Sequence, residues 1–166
     1  MQCKFKSPFG LIILIAYKGK LVYANWDNPE CETKLSKIKE LIDDDPSPEN
    51  CNVIEETKKQ LIQYFRRRRI KFELPIEFYG TLFQKQVWKH LLKIPYGETI
   101  TYKNLAVRCN LPTAPRAVAN ACGANPLAII APCHRVVASH GGKGGYTGGL
   151  DKKWALLNLE TQTPDL

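Results

Sequence analysis

Cys133, His134 and Arg135 stand side by side in the run Ile129-Ile130-Ala131-Pro132-Cys133-His134-Arg135-Val136-Val137. A cysteine beside a histidine and an arginine meets an electropositive setting. That setting lowers a thiol pKa and favours the thiolate, the nucleophilic form. A plainer expectation competes with it: a cysteine inside an apolar run is ordinarily buried and inert. Zinc fits poorly, because Cys109, Cys122, Cys133 and His134 lack the close paired spacing of a structural site. Cys3, Cys31 and His90 show no spacing that demands a metal either. Downstream, residues 141–149 hold six glycines around Lys143, Tyr146 and Thr147. Such a segment lets backbone approach a ligand closely and offers N–H donors. It is not a phosphate-binding P-loop, since G-x-x-x-x-G-K-[ST] is absent. Glu160, near the end of a final helix, reads on its own as a surface acid.

The elements that must position these residues follow from periodicity and punctuation. Strands are expected near 10–17 and 20–26, joined as a hairpin, and a third, at a sheet edge because of Pro75, over Lys71 to Ile76. A helix fits 30–42, with Leu35, Ile38 and Ile42 at helical spacing, and a second fits 52–66. Asp43 to Pro48 between them is a loop. Arg66 to Arg69 read as a solvated helix end that complements the negative dipole terminus. Gly80 marks the expected boundary between a domain of residues 1–79 and one of residues 80–166. Thr81 and Gln84 form a capping box for a helix with Phe83, Val87, Leu91 and Ile94 inward, ending at Pro95-Tyr96-Gly97. Thr101 caps a short helix through Cys109, and another runs from 114 to 122. The pair is a helix-turn-helix candidate. Its second helix, PRAVANAC, carries mostly small side chains. That suits close approach to a DNA groove, and close helix packing equally. The last helix, Asp151 to Glu160, is expected to turn Trp154 and Leu157, with Leu156, inward.

Composition limits the classes available. The chain has 166 residues, 44% hydrophobic and 24% charged, which excludes a mainly disordered protein. Six cysteines are too sparse for a small disulfide scaffold. Phe9 to Tyr17 is too short to span a bilayer, and the Lys18-Gly19-Lys20 that follows is no signal-peptide cleavage site. An intracellular, cytoplasmic protein with reduced thiols is expected, or a nuclear one in a eukaryote. The net charge is +8. Between Thr99 and Leu150 there is no acid, only Lys103, Arg108, Arg116, Arg135 and Lys143. An acid-free half suits a polyanion partner, because each neutralised phosphate releases a counterion. A soluble basic protein without such a partner has the same charge balance.

Taken together, the motifs resemble those of the O6-alkylguanine-DNA alkyltransferases. The PCHR core and its apolar flanks match the active-site motif of that family. Gly80 to Trp88, Ile94 to Tyr102, Arg116-Ala117-Val118, Gly123-Ala124-Asn125-Pro126 and Gly145 to Leu150 match in order and spacing. Ser7-Pro8-Phe9-Gly10 resembles the opening of the family's variable N-terminal domain. Ala131 departs from the pattern, standing where many relatives carry a branched apolar residue.

The resemblance implies an α+β fold: a small N-terminal α/β domain with a three-stranded antiparallel sheet, then a mostly helical domain carrying the helix-turn-helix and the PCHR loop. It implies transfer of an alkyl group from O6-alkylguanine in duplex DNA to Cys133, once per molecule. Neither cofactor nor metal is expected. Duplex DNA would be bound through its minor groove by a monomer. His134, acting through water, would take the thiol proton, and Glu160 would orient the imidazole. Asn125 would tie the Cys loop to the helix-turn-helix. Tyr102, the backbone at Tyr146 and Thr147, and the carbonyls of Cys133 and Val136 would hold the extruded base. Arg116 would fill the vacated stack, with Ala117, Lys103 and Ser139 also at the DNA. A non-catalytic lesion sensor of related architecture would lack the cysteine; a Cys-His acyl hydrolase would turn over repeatedly.

Overall fold

The computed structural model describes residues 1–140, 142 and 144–166; Gly141 and Lys143 of the glycine-rich segment lie outside the described residues. Strands β1 (Gln2–Ser7), β2 (Gly10–Tyr17) and β3 (Lys20–Trp26) form an antiparallel sheet with β2 in the centre. The mixed α+β class and the three-stranded sheet agree with expectation, but the third strand does not. It is Gln2–Ser7, whose Phe5 and Ser7 face inward between exposed Gln2, Lys4 and Lys6. Lys71 to Ile76 forms no strand. A single parallel bridge joins Ile76 to Leu21, whose N–H donates to the Pro75 carbonyl at 2.8 Å and whose carbonyl accepts from Glu77 N–H at 3.0 Å. Pro75 has no N–H to continue the ladder.

Helix α1 (Pro29–Leu41) starts at Asn28, whose side chain accepts from Cys31 N–H, with Pro29 in the first turn. Helix α2 (Pro48–Phe65) begins four residues earlier than expected, because Ser47 caps it and Pro48 is pre-set for a first turn. Helix α3 (Leu82–Leu91) carries the full Thr81/Gln84 capping box. It ends three residues before Ile94, which is nevertheless buried with Val87, Trp88 and Leu91. A short parallel pair, β4 (Ile100–Thr101) with β5 (Val136–Val137), brings the start of α4 (Tyr102–Arg108) alongside the PCHR turn. Helix α5 (Pro115–Gly123) follows α4 after a tight turn. It buries Val118, Ala121 and Cys122, and Trp88 Nε1 donates to its Ala121 carbonyl at 2.7 Å.

Helix α6 (Leu150–Thr161) turns Lys153, Leu156 and Glu160 into the protein. Trp154 and Leu157, expected inward, are only half-buried. The inward face follows the i, i+3, i+7 row that ends at Glu160, because that carboxylate has buried partners and so sets the helix rotation. One hydrophobic cluster joins the sheet, α2, α3, α5 and the PCHR segment. Ala24 of β3 pairs with Leu127, its N–H donating to the Pro126 carbonyl and its carbonyl accepting from Ala128 N–H at 2.7 Å. The N-terminal sheet edge is therefore continuous with the backbone that leads to Cys133.

Candidate active site

Cys133, His134 and Arg135 form one turn of 3-10 helix, all three buried. The chain reaches it through Ile129, a β-branched residue at φ 72°. That conformation costs of order 1–3 kcal/mol. It is held by the surrounding turn, in which Ala131 N–H donates to Leu127 O and Cys133 N–H to Ala131 O, each at 2.8 Å. Asn125, immediately after α5, secures the same turn. Its Nδ2 donates to Ala131 O at 2.7 Å and to Cys133 Sγ at 3.2 Å, and its Oδ1 accepts from Leu127 N–H at 3.0 Å. The Asn125 side chain thus ties together the turn from Leu127 to Cys133.

The expected electropositive setting of the thiol is not what the fold builds. Burial pushes the Cys133 thiol up, and the Asn125 amide, Lys34 and Lys153 only partly offset it. Arg135 points away from the sulfur. Its Nε and one terminal nitrogen donate to the two Glu160 oxygens at 2.9 and 2.8 Å, and the other donates to Ile94 O at 2.7 Å. Its charge is spent on Glu160.

Glu160 is 4% exposed, so it is not a surface acid. Burial alone would raise its pKa. Hydrogen bonds from His134 and Arg135 outweigh burial and hold the carboxyl well below the ordinary carboxylate range. Because Glu160 is ionised, His134 Nε2, 2.8 Å from Oε1, must be the protonated ring nitrogen. Nδ1 then carries the lone pair. It is buried and has no hydrogen-bond partner among the described residues. Burial lowers the His134 pKa, opposed by Glu160, and keeps the imidazole neutral. A neutral imidazole with a free buried Nδ1, on the residue after a protonated thiol, is equipped to accept that thiol's proton.

Cys133 opens on a cavity of about 500 Å³, whose lining includes Tyr102, Asn120, Gly145, Tyr146 and Thr147. Tyr102, Tyr146 and Thr147 thus line the same cavity as Cys133. Tyr102, in the first turn of α4, donates to Gly145 O at 3.3 Å, and burial pushes its pKa up to about 12. It remains an O–H donor at neutral pH. The Val136 side chain is fully buried, and its carbonyl already accepts from Lys153 Nζ at 2.7 Å. Arg116, Ala117, Lys103 and Ser139 are all exposed, on α5, α4 and the segment after β5. Among the described residues no cluster of His, Cys, Asp or Glu could hold a metal ion, and no helix is long and apolar enough to cross a membrane.

Several residues that shape this cavity were not singled out from the sequence. Lys153 is fully buried, its ammonium bound to the Val136 and Gly145 carbonyls. It lies seven residues before Glu160, so continuing the Glu160 face backwards would have found it. The others come from the N-terminal half, where no local signal exists. Trp26 Nε1 donates to Tyr146 Oη at 3.0 Å, Asn28 Nδ2 to Thr147 O at 3.1 Å, and Lys34 Nζ to Thr147 Oγ1 and Gly123 O. Gly148 is pressed against Trp26 and Tyr146, with no room for a Cβ. Gly148→Ala should therefore lower stability by about 1–3 kcal/mol and slow any chemistry at Cys133. Thermal melts and single-turnover rates on the same preparation check both.

Fold and site together define a protein with a buried cysteine, a hydrogen-bonded His–Glu pair beside it and an adjoining helix-turn-helix. Residues 3–78 match the ribonuclease-like domain of 6-O-methylguanine DNA methyltransferase, and residues 82–162 match the DNA-binding domain of the same family. The chain belongs to the 6-O-methylguanine DNA methyltransferase family. It is 43% identical over 139 residues to a probable methylated-DNA–protein-cysteine methyltransferase of Acanthamoeba polyphaga mimivirus, covering 78% of this chain and 93% of that one. It is 40% identical over 156 residues to the methylated-DNA–protein-cysteine methyltransferase of Methanosarcina acetivorans, covering 94% and 95% of the two chains. The crystal structure of Mycobacterium tuberculosis OGT in complex with DNA superposes with a TM-score of 0.81 at 36% identity, covering 95% of this chain and 91% of that one.

Proposed function

We propose that this protein repairs DNA by transferring the alkyl group of O6-alkylguanine, chiefly O6-methylguanine, to Cys133. The observation that carries the reading is the buried thiol, held by Asn125 next to the His134–Glu160 pair, at the wall of a cavity bordered by the helix-turn-helix. The activity is that of a methylated-DNA–protein-cysteine methyltransferase. The S–C bond forms as the C–O6 bond breaks, and the electron pair leaves with guanine. The thiol proton passes through water to His134 Nδ1, while Glu160 stays ionised and stabilises the imidazolium. Tyr102 donates to a guanine ring nitrogen after leaving Gly145 O, and backbone at Tyr146 and Thr147 faces O6, where negative charge develops. The Cys133 and Val136 carbonyls accept from the exocyclic amine, Val136 with the lone pair that Lys153 does not use. The thioether formed at Cys133 is not readily broken by a thiol, including that of Cys122 on the same cavity, so each molecule acts once.

The target carbon lies inside a base stack, so the nucleotide must be extruded, at a cost of a few kcal/mol. Small side chains on the exposed face of α5 let it enter the minor groove of duplex DNA. Arg116 takes the vacated space, where a planar cation both stacks and hydrogen-bonds to the orphaned base; Ala117, Lys103 and Ser139 lie along the same contact. The protein works as a cytoplasmic monomer without cofactor or metal. Residues 1–79 form one domain, which braces the cavity, and residues 80–166 the DNA-binding and catalytic one.

Arg116→Ala tests the extrusion step. Methyl transfer from a lesion in duplex DNA should slow by one to two orders of magnitude, the loss expected for roughly 1.4–2.7 kcal/mol of stabilisation. Alkyl transfer from free O6-benzylguanine should be almost unchanged. Equal loss on both substrates would contradict the assignment.

A further inference from the structure

Glu160 is contacted from three parts of the chain. Arg135 and His134 reach it from the PCHR turn, and Gly97 N–H donates to Oε2 at 3.3 Å. The third contact comes from the N-terminal half: Tyr64, in the last turn of α2, donates its hydroxyl to Oε1 at 2.7 Å. Tyr64 is fully buried, and its ring packs against Phe65, Phe72 and Tyr96. Oε1 therefore receives three donors: Tyr64, His134 Nε2 and an Arg135 nitrogen.

We propose that Tyr64 is a positioning residue for alkyl transfer, whose hydroxyl shares Glu160 Oε1 with His134 and so adds to burial in keeping the imidazole neutral. Every donor on a carboxylate oxygen draws on the same negative charge. With Tyr64 engaged, less of that charge faces His134, and the imidazolium is stabilised less. The balance matters because a histidine already protonated cannot accept the thiol proton. No water can take the place of the hydroxyl without opening the core, since His134 and Tyr64 are both fully buried. Burial holds the Tyr64 phenol well above its ordinary pKa, so it donates throughout the working range. The other charged or titratable groups around the relay are Arg135 from the PCHR turn, Lys153 from α6, Tyr96 from the loop after α3, Tyr146 from the glycine-rich segment, and Cys133 itself. None of these replaces Tyr64, because none other than Arg135 hydrogen-bonds Glu160. This inference rests on the proposed role of His134 as proton acceptor.

The test compares the full-length protein with Tyr64→Phe, which keeps the ring and removes only the donor. Single-turnover methyl transfer from an O6-methylguanine duplex is followed from pH 5.5 to 9, with lesion-DNA affinity and melting temperature measured alongside. The acid limb of the rate profile should move up by about half to one pH unit in Tyr64→Phe. At a fixed pH on the acid limb the rate should fall about three- to tenfold while that at pH 8.5 changes little. A uniform loss at all pH values, or a lower melting temperature with an unmoved limb, gives Tyr64 a packing role only and overturns the proposal. If wild-type protein transfers no methyl group at any pH, the functional reading fails instead, and the two failures are thereby separated. Should Tyr64→Phe not fold, wild-type protein still decides: by NMR, the Tyr64 hydroxyl proton and the His134 ring nitrogens should shift with one common midpoint. Independent behaviour would overturn the proposal.

Discussion

Glu160→Ala should lower stability by about 3–5 kcal/mol, the cost of leaving a buried charge without its partner. Arg135 is 6% exposed and would lose both bonds to the carboxylate. Tyr64 and His134 Nε2 would lose their acceptor in the same step. Alkyl transfer should fall as well, because the imidazole would lose the group that fixes its tautomer. Denaturant titration measures the first effect and single-turnover kinetics the second. Glu160→Gln should recover part of the packing but present an amide to the guanidinium, so it should remain less stable than wild type. The same network gives the pH dependence. His134 and Glu160 both have folded pKa values below their unfolded ones, so the folded state binds fewer protons. Their stabilisation is complete above pH about 6.5 and declines on acidification, first as unfolded His gains a proton and then, below about 4.3, as unfolded Glu does. Glu160→Ala should show a shallower loss of stability across that acid range.

Cys133→Ala should abolish alkyl transfer, a fall of at least roughly 10³-fold, because it removes the assigned acceptor sulfur, and the thiol of Cys122, which lines the same cavity, is pushed well up by burial. Binding to lesion DNA should survive, because recognition is assigned to α5, Tyr102 and the glycine-rich backbone rather than to sulfur. Gel-shift titration alongside transfer assays separates the two. Of the other cysteines, burial raises the pKa of Cys31, Cys109 and Cys122, as it does that of Cys133, while Cys3 and Cys51 are only part-buried, and none of the five stands next to a histidine in the chain.

What was legible in the sequence follows from how local the signals are. The capping box at Thr81, the cap at Thr101 and the glycine that closes α5 are each written within a few residues, and those helices start and stop close to expectation. The third strand was misplaced because Lys71 to Ile76 has strand-like composition, whereas pairing depends on what lies next to the hairpin. Gln2–Ser7 follows the hairpin's own edge, and Pro75 limits its segment to one bridge. Roles for Cys133, His134 and Glu160 are legible only through the family resemblance that the ordered motifs carry. Without these, Glu160 reads as a surface acid, because burial of a carboxylate depends on Arg135 and Tyr64, which are 25 and 96 residues away. The thiol environment was misjudged for the same reason: adjacency of Arg135 in sequence says nothing about which way its guanidinium turns. The N-terminal contacts of Trp26 on the Tyr146 hydroxyl, Asn28 on the Thr147 carbonyl and Lys34 on the Thr147 hydroxyl cross more than 100 residues and leave no trace in local pattern.

The central claim is that Cys133 takes the alkyl group from damaged guanine. Intact mass spectrometry of the protein, after mixing with a duplex carrying one O6-methylguanine, measures this directly when followed by peptide mapping. One added methyl group per molecule, confined to Cys133 and absent with undamaged DNA, is the predicted result. An unchanged mass despite lesion-specific binding, or methyl groups on any other residue, would contradict it.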